Sequence, residues 1–253
     1  MTEIKPIVLI PSYNTGDRLL ETVEEVLHFW PDVMVVFDGG DDGRRLLKHL
    51  GCQVRFVLLE QNRGKGGAVL AGIEALLPEK FTHVLVFDAD GQHCAQDIPR
   101  FMEALLTAPH CMISGIPVFG PEAPVERVKG RVVGNTFALL ETAFRGVEDV
   151  LYGMRIYPAK PLLKVMRKRS LGMRYGFDTE ASVRLFWDGF GVRHLSTPVT
   201  YFQEEEGGVS HFHYVKDNGV LILLHIRLLL EAPLRLLLRG FRCKHVMESL
   251  END

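Results

Sequence analysis

Val84-Leu85-Val86-Phe87-Asp88-Ala89-Asp90-Gly91-Gln92-His93 is the stretch around which the rest of the chain is organised. Its first four residues are apolar and partly β-branched, which predicts a buried strand. Two carboxylates one residue apart at the end of such a strand fall at the sheet edge where open α/β folds collect ligands. The spacing Asp88-x-Asp90 lets both present hard oxygens to one divalent cation, and Gln92 can add a carbonyl oxygen. Asp and Gly are also ordinary turn residues. The other strand ends therefore decide between a solvated turn and a metal site.

Upstream, apolar runs at 7–10, 33–37 and 54–59 read as strands, and a further one follows at 111–115. Between them lie helical patterns at 17–29, 44–50, 68–77 and 96–106. Asp17 is placed to cap the first, which carries Leu19, Leu20, Val23, Val26 and Leu27 on one face. Repeated strand–helix alternation predicts a doubly wound, mostly parallel sheet with flanking helices. After Gly115 the alternation stops. A Pro- and Gly-rich loop at 116–126 precedes a helix at 127–144, with Arg127 and Arg131 one turn apart. Then come a short strand at 150–157, helices at 161–169 and 180–188, and a last strand at 192–199 that Pro198 assigns to an edge.

The 253 residues are 47% hydrophobic with a net charge of −3. This suits one globular unit over 1–208, divided into halves 1–115 and 116–208, followed by a tail at 209–253. The near-neutral charge offers no global reason to bind nucleic acid. Four scattered cysteines without a CxxC pair suggest reduced thiols in the cytoplasm. No signal-peptide pattern opens the sequence, and no run of apolar residues is long enough to predict a membrane-spanning helix.

The tail differs in kind. From 215 to 245 it holds six Lys or Arg against two acids. From 220 to 242 the polar residues include Arg227, Glu231, Arg235, Arg239 and Arg242, a narrow stripe on a helix rich in Leu, Ile and Val. Pro233 should kink or divide that helix. One reading packs it on the sheet with a salt-bridged outer face. The preferred reading lays residues 218–245 in a membrane interface, with arginines near anionic head groups.

Asp38, Asp88 and Asp90 all end strands at one sheet edge, beside the loop Asn62-Arg63-Gly64-Lys65-Gly66-Gly67. That loop opens a helix, so its backbone N–H groups and Lys65 can meet a diphosphate or a base. It has neither the GxxxxGK[ST] spacing of a P-loop nor the position of a GxGxxG dinucleotide fingerprint.

Taken together, Ile10-Pro11-Ser12-Tyr13-Asn14, Val36-Phe37-Asp38-Gly39-Gly40-Asp41-Asp42-Gly43, the Asn62–Gly66 loop and Asp88-Ala89-Asp90-Gly91-Gln92 resemble the family 2 glycosyltransferases of GT-A fold. The resemblance is closest to the dolichyl- and polyprenyl-phosphate sugar synthases and related bacterial lipid-linked enzymes. It implies that Pro11, Tyr13 and Asn14 line a nucleotide pocket, that Asp38 binds the base or ribose, and that Asn62 and Lys65 lie near the nucleotide. It also implies that Asp88 binds ribose or metal, and that Asp90 and Gln92 ligate Mg²⁺ or Mn²⁺ on the diphosphate. The family usually has an acidic pair at the second strand end. Here Phe37 replaces its first member, leaving Asp38, helped by Asp41 or Asp42.

Breaking a sugar–diphosphate bond leaves negative charge on the diphosphate, which a divalent metal stabilises, and positive charge on the sugar, which a carboxylate favours. Transfer to a hydroxyl needs a base; transfer to a phosphate needs cations instead. Asp178, in Gly176-Phe177-Asp178-Thr179-Glu180, matches the family's acceptor-side acidic position and also suits a helix cap. Arg127, Arg131 and Arg155 are the cationic candidates, Arg155 lying in Tyr152-Gly153-Met154-Arg155, which resembles the Ser-Gly-Phe-Arg segment of the polyprenyl-phosphate enzymes. His211 and His213, two residues apart, are candidates for part of a metal site or for binding the acceptor. The expected activity is inverting transfer from a nucleoside-diphosphate sugar to a lipid-linked phosphate or hydroxyl, at the cytoplasmic face of the cell membrane. The alternatives are a non-catalytic sugar-nucleotide-binding or membrane-scaffold module, and a sugar-1-phosphate nucleotidyltransferase. The latter should carry a Gly-rich basic loop after its first strand, where Pro11–Asn14 stand instead.

Overall fold

The computed structural model describes the backbone of residues 3–40, 43–120, 125–167, 173–199 and 214–252. Side chains are described over the same spans except 43–44, 125–129, 214–218 and 240–252. The elements in order are β1 (Pro6–Ser12), α1 (Arg18–Phe29), β2 (Val33–Asp38), α2 (Gly43–Leu50), β3 (Arg55–Leu59), α3 (Gly64–Leu76), β4 (His83–Val86) and α4 (Ile98–Thr107). They continue with β5 (Cys111–Val118), α5 (Val125–Glu141), β6 (Arg155–Pro158), α6 (Ala159–Met166), α7 (Phe177–Trp187), β7 (Gly191–Pro198) and α8 (Tyr214–Asn252).

The strands form one sheet in the order β3-β2-β1-β4-β6-β5-β7. All neighbours are parallel except β6, which runs antiparallel to β4 and to β5. The doubly wound, mostly parallel sheet is therefore present, and β7 takes the edge that Pro198 predicted. Strand side chains alternate between two cores, as the pleat requires. Ile7, Leu9, Met34, Val36, Val84 and Val86 pack under α3, α6, α7 and α8. Val8, Ile10, Val35, Phe37, Leu85 and Ile113 pack under α1, α2 and α4. Burial on both faces is why these strands read as continuous apolar runs.

Two local expectations change. Asp17 makes no side-chain capping bond; its carboxylate pairs with Arg45 at 2.9 Å instead. Residues 150–154 are not strand, and β6 starts only at Arg155, because the preceding segment is shaped by a side chain. Buried Asp149 accepts the backbone N–H groups of Leu151 and Tyr152 through Oδ1, at 2.9 and 2.8 Å. It also takes a two-pronged contact from Arg131 and a bond from Asn135.

The tail corrects a larger expectation. Pro233 lies inside one uninterrupted helix, and the described part of the charged stripe, 227–239, turns toward the protein. Arg184 of α7 donates two hydrogen bonds to Glu231, at 2.8 and 3.1 Å. Arg227 and Arg235 share the same carboxylate. Arg239 stacks over Phe186 and donates to the carbonyls of Phe186 and Phe190. Leu224, Leu228 and Ala232 join the core, and His225 meets Glu141 of α5 at 2.7 Å. The outward face is apolar: Ile222, Leu223, Ile226, Leu230, Leu234 and Leu237 are exposed. Arg227, Arg235 and Arg239 thus anchor the helix by its inner side, and the six aliphatic residues just named face solvent.

Candidate active site

Parallel strands bring the C-terminal ends of β1, β2 and β4 to one edge of the sheet, and antiparallel β6 brings its N-terminal end there. The register pairs Val86 with Arg155, so Asp88, two residues beyond, falls opposite Gly153, two residues before. The approach is close. A β-carbon on Gly153 would lie 2.1 Å from Asp88 Oδ2 and 2.7 Å from Lys65 Nζ.

At the end of β2, buried Asp38 accepts the Arg63 N–H at 2.7 Å. Burial pushes its carboxyl up, and the N–H bonds of Arg63 and Gly64 only partly offset this. Asn62 Oδ1 accepts the Gly64 N–H at 3.2 Å, which turns the loop into α3. Gly64 itself has φ +78°, and a β-carbon there would meet the Met173 carbonyl at 2.5 Å. Pro11 lies within β1. Asn14 takes the left-handed conformation at φ 50°, which Asn tolerates, and Tyr13 is partly exposed beside it. Asp41 and Asp42 lie outside the described residues.

At the centre, Lys65 on the first turn of α3 bridges two carboxylates, Asp88 and Asp178, at 2.7 Å each. Burial alone would lower the lysine's pKa, but the two acids more than reverse this and keep it charged. Burial likewise opposes ionisation of Asp88, yet Lys65 and His93 hold its carboxyl well below the usual range. Asp90 behaves oppositely: burial and the neighbouring Asp88 charge push it up. Its Oδ1 accepts the Gln92 N–H at 3.0 Å.

Among the described residues, no three or more His, Cys, Asp or Glu side chains are grouped to hold a metal. Two neighbouring carboxylates still suit a hard divalent cation, and Gln92 follows Asp90 by two residues. A cation shared by Asp88 and Asp90 would favour the charged form of Asp90 against the burial and the Asp88 repulsion that raise it. Asp88, Asp90 and Gln92 carry oxygen donors of the kind that Mg²⁺ or Mn²⁺ takes.

From the other half, Asp178 sits in the first turn of α7, behind its N-cap Gly176. It is not a cap. Its Oδ2 meets Lys65, and its Oδ1 accepts the Tyr157 hydroxyl at 3.0 Å. Arg155 is only 1% exposed. It donates to the Asp178 carbonyl at 3.2 Å, to Ser182 Oγ at 2.7 Å and to the Asp149 carbonyl. Its guanidinium is thus enclosed between α7 and the 149–154 segment, supporting Asp178 rather than facing an acceptor. Arg131 is likewise engaged by Asp149. The Arg127 side chain, His211 and His213 lie outside the described residues.

The sequence reading missed Asp149, Tyr157, Ser182 and Gly153. Asp149 stands in an irregular stretch with no periodicity to mark it, and the others matter only through long-range contacts. His93 closes the quoted motif, but nothing in the spacing revealed that its Nε2 lies 3.2 Å from Asp88 Oδ2.

Comparison with known proteins bears on the family and the fold. A polyprenol monophosphomannose synthase of Mycolicibacterium smegmatis is 29% identical over 216 residues, covering 81% of this chain and 80% of the relative. A UDP-N-acetylglucosamine–dolichyl-phosphate N-acetylglucosaminyltransferase of Methanococcus voltae is 25% identical over 196 residues, covering 70% of this chain and 78% of that one. Among solved structures, glucosyl-3-phosphoglycerate synthase of Mycobacterium tuberculosis, in complex with Mn²⁺, UDP and glucosyl-3-phosphoglycerate, superposes with a TM-score of 0.63. At 17% identity it covers 90% of this chain and 80% of its own, a likeness of fold. The family model described as glycosyl transferase family 2 matches residues 7–166, the span that holds Asp38, Lys65, Asp88 and Asp90. By its sheet order, its strand-end acids and that match, this chain belongs to the family 2 glycosyltransferases and is a glycosyltransferase of GT-A fold.

Proposed function

We propose that this enzyme transfers a sugar, with inversion, from a nucleoside-diphosphate sugar to a polyprenyl-type lipid phosphate at a membrane surface. The observation that carries the reading is the Lys65 bridge, which brings Asp88 of the nucleotide half to Asp178 of the acceptor half. The names of the two relatives above differ in sugar but share a polyprenyl or dolichyl carrier.

In this reading Asp38 and the 61–64 loop hold the nucleoside, with Pro11, Tyr13 and Asn14 lining its pocket. Asp88, Asp90 and Gln92 hold Mg²⁺ or Mn²⁺, which when bound offsets the charge of the departing diphosphate. The N-terminus of α3 offers backbone N–H groups to the same phosphates. Asp178, oriented by Tyr157 and buttressed by Arg155, places a carboxylate near the sugar and favours its cationic character. A phosphate acceptor is already anionic and needs no base, so Asp178 acts by charge and position. Arg127, His211 and His213 are the acceptor-side candidates, whereas Arg131 and Arg155 act through Asp149 and Asp178.

Membrane contact falls to residues 218–245, now through the apolar face of α8 rather than its arginines. Val132 and Val133 of α5 add exposed apolar surface. Exposed aliphatic rows of this kind mark contact surfaces. Among the described residues no helix is long and apolar enough to cross a membrane, so the contact proposed is peripheral, at the cytoplasmic face.

The test is a panel of UDP-, GDP- and dTDP-sugars with a short-chain polyprenyl phosphate, with Mn²⁺, Mg²⁺ or EDTA. Expected is metal-dependent formation of one glycosyl-phosphoryl lipid, read by mass spectrometry. Transfer that persists undiminished in EDTA, or only to acceptors lacking a phosphate, would refute the reading.

A further inference from the structure

Lys65 stands where the two halves of the site meet, and its contacts leave Asp88 fully engaged. Its Nζ is 2.7 Å from Asp88 Oδ1 and 2.7 Å from Asp178 Oδ2. The second oxygen of each acid also has a partner: His93 Nε2 at 3.2 Å from Asp88 Oδ2, and the Tyr157 hydroxyl at 3.0 Å from Asp178 Oδ1. Gly153 closes over this group, since a β-carbon there would lie 2.7 Å from Nζ. Asp90, by contrast, makes no ion pair among the described residues, and its Oδ1 is bonded only to the Gln92 N–H.

An ammonium ion and a dication on one carboxylate repel each other, most strongly where water is excluded. A free divalent cation therefore meets Asp90 readily but meets Asp88 only against Lys65. A diphosphate changes the balance. It carries negative charge to the ammonium, as lysines that bind phosphates require, and it approaches the N-terminus of α3, whose second residue is Lys65. We infer that Lys65 makes the site select a metal already complexed to a diphosphate over free metal, by holding Asp88 until the diphosphate draws the ammonium away. Lys65 is on this account a specificity determinant for donor loading. The inference rests on the metal-dependent reading above.

The experiment is equilibrium dialysis of Mn²⁺ against the full chain, with and without inorganic pyrophosphate, for the wild type and Lys65→Met. In the wild type pyrophosphate should raise the Mn²⁺ retained by the protein by about tenfold or more, the scale on which groups behind metal ligands act. Lys65→Met should bind free Mn²⁺ about tenfold more tightly than the wild type and lose the pyrophosphate effect. Lys65→Arg, which keeps the charge, should restore the wild-type preference. If Lys65→Met melts without cooperativity, Lys65→Gln serves in its place, and the wild type remains a test by itself. Equal wild-type retention with and without pyrophosphate, or free Mn²⁺ bound no more tightly by the neutral variant, overturns the role of Lys65 while leaving metal-dependent transfer standing. No retention of Mn²⁺ by any form, pyrophosphate present or absent, overturns both.

Discussion

Gly153 lies against the Asp88 carboxylate so closely that a β-carbon added to it would be 2.1 Å from Oδ2. Antiparallel pairing of β4 with β6 creates this contact, and only a glycine permits it. Gly153→Ala should push Asp88 out of place and lower the transfer rate about 100-fold, the scale expected for a misplacement near 1 Å. The carboxylate is the end of a flexible side chain, so the melting temperature should fall by only a few degrees (about 1 kcal/mol). Steady-state kinetics and a thermal melt check both parts. An alanine variant with wild-type kcat would show that Asp88 need not stay where it is.

Asp149 shapes the segment that leads to Gly153. It is buried, and it binds Arg131, Asn135 and two backbone N–H groups. Burial opposes its ionisation, but Arg131 holds its carboxyl below the usual range. Asp149→Asn should therefore cost about 3 kcal/mol in a urea titration, as breaking a buried pair does. Because the folded-state pKa is depressed, the wild type owns this advantage above the ordinary aspartate range and loses it as pH falls through the folded value. The difference between the two proteins should shrink in acid. A constant difference from pH 7 down to pH 2 would contradict the ion-pair account.

His83 supplies a second pH dependence. It is buried in β4, with Nε2 3.3 Å from the Pro109 carbonyl, and burial lowers its pKa to about 4. Above the unfolded value of 6.5 both states are neutral and nothing is lost. Between 6.5 and about 4 the unfolded chain takes up a proton that the folded one refuses, so stability falls with pH by up to ~3 kcal/mol. His83→Gln should flatten this part of the profile, seen in urea midpoints measured across pH 7 to 4. Parallel wild-type and variant curves would remove His83 from the explanation.

Leu230 and Leu237 are 79% and 75% exposed on the outer face of α8, while Glu231 on the inner face holds Arg184. Leu230→Glu with Leu237→Glu should release the protein from anionic vesicles in flotation without altering its melt. Glu231→Ala should do the reverse, keeping flotation but costing about 2 kcal/mol, because the buried Arg184 guanidinium keeps Glu180 and loses the second of its two carboxylate partners. Flotation that survives both leucine changes would place the membrane contact elsewhere.

The first half of the chain was largely legible in its own order of residues. Apolar runs buried on both faces, each separated by a helical pattern, specify a parallel sheet almost without regard to distant partners. Asp38, Asp88 and Asp90 could be placed at one edge because parallel strands end together. Bounds were less legible: β5 runs on to Val118 and α3 begins at Gly64, where hydrogen bonding rather than hydropathy sets the end.

Tertiary structure decided everything that depends on which face or which partner. The stripe of α8 was visible as a period, but a period does not say which side meets the protein. Arg184 of α7, buried and already paired with Glu180, takes Glu231 as a second carboxylate, and that pairing goes with the charges at 227–239 on the inner side and Leu230, Leu234 and Leu237 on the outer. Arg155 looked like a cation for an acceptor until the fold enclosed it behind Asp178. At Asp88-Ala89-Asp90-Gly91-Gln92 the sequence alone determined that two carboxylates end a buried strand, because alternation and strand direction are local properties. That Lys65 joins Asp88 to Asp178, and that Gly153 lies over the pair, follows from segments up to 113 residues apart (65 to 178). Those contacts exist only once the sheet has brought both halves to one edge.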